Sequence, residues 1–482
     1  MEEIYMLDLP ICAEGGRVFE FFVEISKIPH GSGNTAPIAD YLEGFARERG
    51  LDCSRDGANN VIIKKSATPG YEERPTVIIQ GHTDMVLASD ENANIDLQKD
   101  GLELYVDGDF LKARGTTLGG DDGVAVAYAL ALLDSDTIAH PAIEAVFTSD
   151  EEIGLLGAAA IDESKIDGRI LINIDSDAEG IFTAGCAGGL RTDTVASFDT
   201  KLAPGFLYIV EISGLRGGHS GVEIGNARVN AIKHLSKSIS DIEGIRLMTL
   251  EGGNADNAIP RNAQASFVCK KKIGSSAMNE LCNKIKNELY ELGENDATVT
   301  VARTWQIGAR VISADSTSAI LSLVNEMPSG VLAMSADIEG LVETSQNIGI
   351  IKLENGEFHM AVSVRSSKDD DKRAATDNIY ALGRKYGAEV SERGEYPAWE
   401  YKKDSHLRDT ICSVYEKMYA KAPKVDIIHA GLECGIFSKK LDGLDAVSLG
   451  PDNYDIHTPS ERLSISSTVR VWEFLLEVLK NI

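Results

Sequence analysis

The stretch "TVIIQGHTDMV" (residues 76–86) runs from β-branched apolar residues into a glycine, a histidine and an aspartate. The apolar run is short and bounded, which reads as a buried strand. "AIEAVFTSD" (142–150) and "ILINIDSD" (170–177) repeat the plan, apolar first and acidic at the end, and "NVIIKK" (60–65) adds a further strand. Between them, "DDGVAVAYALALLDSD" (121–136) reads as a buried helix, apolar on every side. Upstream, "TAPIADYLEGFARERG" (35–50) sets Ile38, Tyr41, Leu42, Phe45 and Ala46 at helical spacing, with Pro37 early and Gly50 closing the turn. Fully apolar strands alternating with helices predict an α/β fold: a mixed or parallel sheet covered by helices.

From about residue 191 the texture changes. "LYIVEISGL", "QASFVCKK" and "ATVTVARTW" read as strands separated by helices at 226–239 and 277–292. "GIIKLENGEFHMAVSVRSS" reads as a hairpin turning at Asn355-Gly356, followed by the helix "DDKRAATDNIYALGRKYG". Near residue 390 the first pattern resumes: a helix around 405–420, the strand "DAVSLG" and a last amphipathic helix ending in "VRVWEFLLEVLKNI". The predicted division is a catalytic domain of 1–190 and 391–482 interrupted by an α+β domain of 191–390. A chain of 482 residues exceeds what one core normally serves, in keeping with two domains.

Bulk composition excludes several classes. Forty-seven basic residues against 75 acidic ones give a net charge of −28, which repels nucleic acid and anionic membranes, so neither is an expected partner. No apolar run is long enough to cross a bilayer, and "MEEIYMLDLP" lacks the build of a secretion signal. The seven cysteines (12, 53, 186, 269, 282, 412 and 434) include no C-x-x-C pair, which argues for reduced thiols and a cytoplasmic location.

The acidic strand ends carry the chemistry. His82 and Asp84, two apart, are expected to leave one face of their strand, imidazole for a metal and carboxylate to fix its tautomer. Asp121 and Asp122 follow a glycine pair at the start of a helix, where the helix dipole favours negative charge. Glu151 and Glu152 follow a third strand, Asp175 a fourth, and His457 in "DNYDIHTPSER" precedes a helix late in the chain. Each alone has a bland reading as a cap or solvated loop. Together they sit at the sheet edge where open α/β proteins build sites.

Two histidines, several carboxylates and no cysteine suit zinc first, with manganese or cobalt as alternatives. Five candidate ligands remain after one acid is reserved for catalysis, favouring two metals that share a carboxylate. On this reading Glu152 spends its charge on a metal while Glu151 points elsewhere and acts as the base.

In order, "GHTDMV", "GTTLGGDDGVA", "TSDEEIGLLGA", "NIDSDAEG", "GGHSG", "GGNADNAIPR", "HAGLECG" and "DIHTPSER" resemble the aminoacyl-histidine dipeptidases. These are cytosolic non-specific dipeptidases of the aminoacylase/carboxypeptidase family of di-zinc peptidases. The resemblance runs from about residue 20 to the C-terminus. It implies one zinc on His82, Asp121 and Asp175, and a second on Asp121, Glu152 and His457. It also implies that Asp121 bridges in a cis peptide to Asp122, that Asp84 orients His82, and that Glu151 is the general base. The inserted domain would be a lid through which many relatives dimerise. Two departures stand out: Asp122 where the family has asparagine, adding negative charge beside the metals, and His30 where it has arginine.

The implied reaction is hydrolysis of an unblocked dipeptide by a metal-activated water, with Glu151 carrying the proton. His219 is the candidate second donor to the oxyanion, since two glycines before it allow close approach. Arg365 is the first choice for the substrate carboxylate and Arg261 the second; Asn257 is assigned to the substrate backbone. Glu433 would meet the free amino group or support His429. His140, His234, His359 and His406 have no acidic motif around them and are read as structural. The same chemistry with another substrate describes an acylamino-acid deacylase, carboxypeptidase or tripeptidase. A di-metal phosphoesterase is disfavoured by the missing phosphate loop and the net charge, and a non-catalytic relative by the complete set of ligands and base.

Overall fold

A computed structural model describes residues 16–482, apart from 337 and 339. The chain divides into two compact units. One comprises the described residues up to Cys186, Trp399–Ile427 and Leu432–Ile482; the other comprises the described residues of Ala187–Ala398 and Ile428–Gly431.

In the first unit an eight-stranded mixed sheet has the order Asp52–Arg55, Val61–Lys65, Ile143–Thr148, Val77–His82, Ile170–Asn173, Asp445–Ser448, Ile181–Cys186, Lys424–Ile428. Its four central strands, Ile143–Thr148 to Asp445–Ser448, are parallel. Every residue of Val77–His82 and of Ile143–Thr148 is buried, the polar Gln80, His82 and Glu144 included, as in strands covered on both faces. The helix Gly120–Asp134 buries all sides, from Val124 to Leu133. Its Tyr128 stacks on Trp472 of the C-terminal helix Ile465–Asn481, ring centroids 5.6 Å apart, and donates to the Thr468 carbonyl at 2.7 Å. Gly81 lets this helix lie against the central strand, because a methyl there would run into the Ala125 side chain and the Asp122 carboxylate. A small antiparallel sheet, Asn453–Tyr454, Arg462–Ser464, Phe110–Ala113 and Leu104–Asp107, joins the C-terminal segment to the first.

The second unit is a nine-stranded antiparallel sheet with the helices Ala231–Ser240, Ser275–Glu291, Ala314–Glu326 and Asp369–Tyr386. Its core is its own, centred on Tyr208, Leu235, Phe267, Ile348 and Val362. Asn355 at φ +54 and Gly356 at φ +89 make the tight turn that joins Val342–Glu354 to Glu357–Ser366.

Local differences from the sequence reading have plain causes. The first helix of the second unit begins at Ala231 and not at 226, because the Asn230 side chain caps it by accepting from Ile232 and Lys233. The strand containing "VIIQ" ends at His82, so Asp84 lies in the following loop and not on the same strand face. His457 is followed first by the strand Arg462–Ser464, and the helix starts only at Ile465.

Candidate metal centre

The parallel register lines up the carboxyl ends of the central strands. His82 stands level with Thr148, and Gln80 with Asn173, so the segments carrying Glu151, Glu152 and Asp175 leave the sheet beside His82. A glycine turn brings in Asp121, and the loop between Asn453–Tyr454 and Arg462–Ser464 brings in His457, held at φ +64.

Asp121 is the hub. His82 Nε2 lies 2.9 Å from its Oδ1 and His457 Nε2 lies 3.2 Å from its Oδ2, while His457 Nε2 is also 2.8 Å from Glu152 Oε1. Donor atoms of His82, Asp121 and Asp175 lie within 4.8 Å of one another, as do those of Asp121, Glu152 and His457. The peptide bond between Asp121 and Asp122 is cis. Asp122 is buried beside it, its Oδ2 accepting the His82 backbone N–H at 3.1 Å.

The electrostatics fit divalent metals. Hydrogen bonds to the Asp121 and Glu152 carboxylates push His457 up to about 10, and His82, despite burial, is raised well above its usual value by Asp121 and Asp84. Burial, reinforced by Asp121 and Asp122, pushes the Asp175 carboxyl well above the carboxylate range. Crowded carboxylates thus favour protons on the two imidazoles and on buried acids; cations in the same place satisfy every donor without them. Two imidazoles and three carboxylates at these spacings form a donor set suited to zinc-like metals.

Two expectations need correction. Glu151 does not point elsewhere: its carboxylate lies in a third donor group with His82 and Glu152, again within 4.8 Å. Burial, with help from Glu433 and Glu152, pushes its carboxyl up to about 8. The Asp84 carboxylate is not the direct hydrogen-bond partner of His82. His82 Nδ1 meets the Asp84 backbone carbonyl at 2.9 Å, with Oδ1 at 3.6 Å. The Asp84 carboxylate instead accepts the backbone N–H of Glu151 at 2.9 Å, that of Glu152 at 3.3 Å and the Ser32 hydroxyl at 2.8 Å. It therefore holds the turn that presents both glutamates. Ser32 went unnoticed in the sequence, although the Gly-Ser-Gly run around it is a turn signal.

Glu433 also differs from its expected place. It opens the helix Glu433–Lys440 fully buried, accepting from Gln80 at 2.5 Å and Thr148 at 2.6 Å, and burial pushes its carboxyl up to about 7. It is fully covered and lies close enough to Glu151 to help push that carboxyl up, while His429 is held by the Ser345 hydroxyl at 2.7 Å. His30 is buried with Nδ1 2.5 Å from the Ile28 carbonyl.

The remaining candidates belong to the second unit. His219 and Asn257 are neighbours there, since Gly218–His219 pairs with Ala258–Ile259 and the Ser220 N–H donates to the Asn257 carbonyl at 2.8 Å. His219 Nδ1 accepts the N–H groups of Gly221 and Val222, each at 3.3 Å, so the neutral ring carries its proton on Nε2. Burial and Arg365 lower its pKa, which keeps it neutral. Arg365 is 8% exposed, donates to the Tyr396 hydroxyl at 2.9 Å and has a buried Nε with no protein partner. Arg261 commits its Nε to the Leu215 carbonyl at 2.8 Å.

No helix among the described residues is long and apolar enough to cross a membrane. The chain is 35% identical over 474 residues to the cytosol non-specific dipeptidase of Escherichia coli strain K12, covering 96% of this chain and 97% of that one. Its structure is similar to the crystal structure of aminoacylhistidine dipeptidase from Vibrio alginolyticus, with a TM-score of 0.89, 33% identity, and 100% and 99% of the two chains covered. Aminopeptidase PepT from Bacillus cereus shares the fold at 16% identity, with a TM-score of 0.57 over 97% of this chain and 99% of that one. The sequence profile of peptidase family M20/M25/M40 matches residues 78–481. By that match and by its near full-length relatives, the chain belongs to peptidase family M20/M25/M40.

Proposed function

We propose that this protein is a metal-dependent dipeptidase that hydrolyses unblocked dipeptides of broad sequence, aminoacyl-histidine substrates included. The observation that carries the proposal is Asp121 standing between His82 and His457 with one oxygen toward each. The names of the two near full-length relatives support the substrate class.

His82, Asp121 and Asp175 would hold one metal, and Asp121, Glu152 and His457 the other, with zinc as the expected ion. When bound, two such ions supply Lewis acidity, which acidifies water and polarises the scissile carbonyl. Glu151 takes the proton from the attacking water and passes it to the leaving amine, one carboxylate serving first as base and then as acid. Asp84 keeps Glu151 in reach by holding its backbone N–H. In the second unit, His219 would donate from Nε2 to the oxyanion, Arg365 would pair with the substrate carboxylate, and Asn257 would contact the substrate backbone. Arg261 is second to Arg365, because its Nε is already engaged. A cytosolic location and a homodimer formed through the second unit belong to the same proposal.

The test is elemental analysis of the purified protein with activity measured before and after chelation and on return of zinc or manganese. Expected are two equivalents of metal and metal-restored cleavage of dipeptides. Faster cleavage of N-acetyl amino acids, of tripeptides or of longer peptides would replace the dipeptidase reading by a deacylase, tripeptidase or carboxypeptidase.

A further inference from the structure

We infer that Glu461 is a positioning residue that sets Asp121 and His457 jointly, and so governs affinity for the metal those two residues share. The inference rests on the metal-dependent reading above. Glu461 is 2% exposed, and its carboxylate accepts four consecutive backbone N–H groups: Leu118 at 2.7 Å, Gly119 at 3.0 Å, Gly120 at 2.8 Å and Asp121 at 3.3 Å. Asn453 Nδ2 adds a fifth donor at 3.2 Å.

This is the grip of an anion on a nest of amides, supplied here by the protein itself. Its two ends matter. The four N–H groups belong to the turn that delivers Asp121. Glu461 itself lies four residues after His457, in the same connection between Asn453–Tyr454 and Arg462–Ser464. One carboxylate therefore ties together two ligands that lie far apart in the chain.

The glycine pair before Asp121 follows from this grip. Gly119 sits at φ +68, and a Cβ on Gly120 would stand 2.8 Å from Asn453 Nδ2 and 3.1 Å from Glu461 Oε1. Only a carboxylate offers acceptors to all five donors, since glutamine would turn an N–H₂ toward them.

Asp121 lies in both metal-donor groups built around it, whereas His457 lies in one. Releasing the clamp thus harms the His457 group more than the group of His82 and Asp175. A purely structural role would not discriminate between them.

The experiment measures the two stepwise zinc dissociation constants of the metal-free protein by competition with a chromogenic chelator, together with its urea unfolding midpoint. Glu461→Gln is expected to raise one constant about 10–100-fold and the other less. His457→Ala should raise the same constant, and the double variant should add little further. Gly120→Ala, which presses a methyl on the clamp, should reproduce the effect and replaces Glu461→Gln if that variant does not fold. Unchanged constants, or two constants shifted equally in step with the unfolding midpoint, would overturn the inference. A wild-type protein that binds two metals yet cleaves no dipeptide would sink the proposed function and leave this inference standing.

Discussion

Glu151 and Glu152 are adjacent in sequence and are assigned different work, and the difference is measurable. Glu151→Gln should cut turnover about 10²–10⁴-fold while metal content stays at the wild-type level. Elemental analysis of the variant is decisive, because a lost equivalent would make Glu151 a ligand in the group it forms with His82 and Glu152. His429 gives a second residue-level expectation. Burial, aided by Arg365, lowers it from 6.5 to about 4. The unfolded chain then takes up the proton first as pH falls, so stability drops from pH 6.5 down toward 4 and levels off below. The contribution of His429 to that loss is about 2 kcal/mol by pH 5, read as a urea midpoint that falls less steeply in His429→Asn than in the wild type. The ligand candidates His82, Asp121, Glu152, Asp175 and His457 were visible in the sequence because each follows a strand or glycine turn as an out-of-place polar group. Glu461 was not: a glutamate that accepts four amides looks, in sequence, like any surface acid. Glu433 misled for the opposite reason, as its burial depends on Gln80 and Thr148, which arrive from distant strands.

The helix Gly120–Asp134 and the hairpin at Asn355-Gly356 were legible because their signals are local: unbroken apolarity in one, a two-residue turn in the other. Whether the Asp84 side chain faced its strand's core side was not, since the strand stops two residues earlier. Gly81 is where one element limits another. Gly81→Ala would force the central strand from the Gly120–Asp134 helix and disturb Asp122. A loss of about 1–3 kcal/mol is expected, visible as a lower urea midpoint of the metal-free protein. A second element-level expectation concerns the turn held by Asp84. Asp84→Asn replaces an acceptor of two glutamate amides and should weaken zinc about 10–100-fold, measured by chelator competition.

At the scale of the whole molecule, two units with separate hydrophobic cores carry very different charge problems. The first gathers Asp84, Asp121, Asp122, Glu151, Glu152, Asp175 and Glu433 around two histidines, and the second has no such centre among the described residues. Metal removal should therefore lower the melting of the first unit alone. At a free-metal concentration about 100 times the dissociation constant the lost stabilisation is about 2.7 kcal/mol for each metal removed, a fall of about 5–10 °C per metal at roughly 2–4 °C per kcal/mol. Calorimetry with and without chelator should show one transition moving and another fixed.

The four residues Ile428–Gly431 belong to the second unit although the chain on either side of them belongs to the first. A gene fragment encoding 187–398 alone would lack that short stitch, and with it the His429 ring that Ser345 holds. Anyone cutting the second unit free must therefore graft those four residues back or add them as a peptide. The protein is sewn together at a point no linear excision can respect.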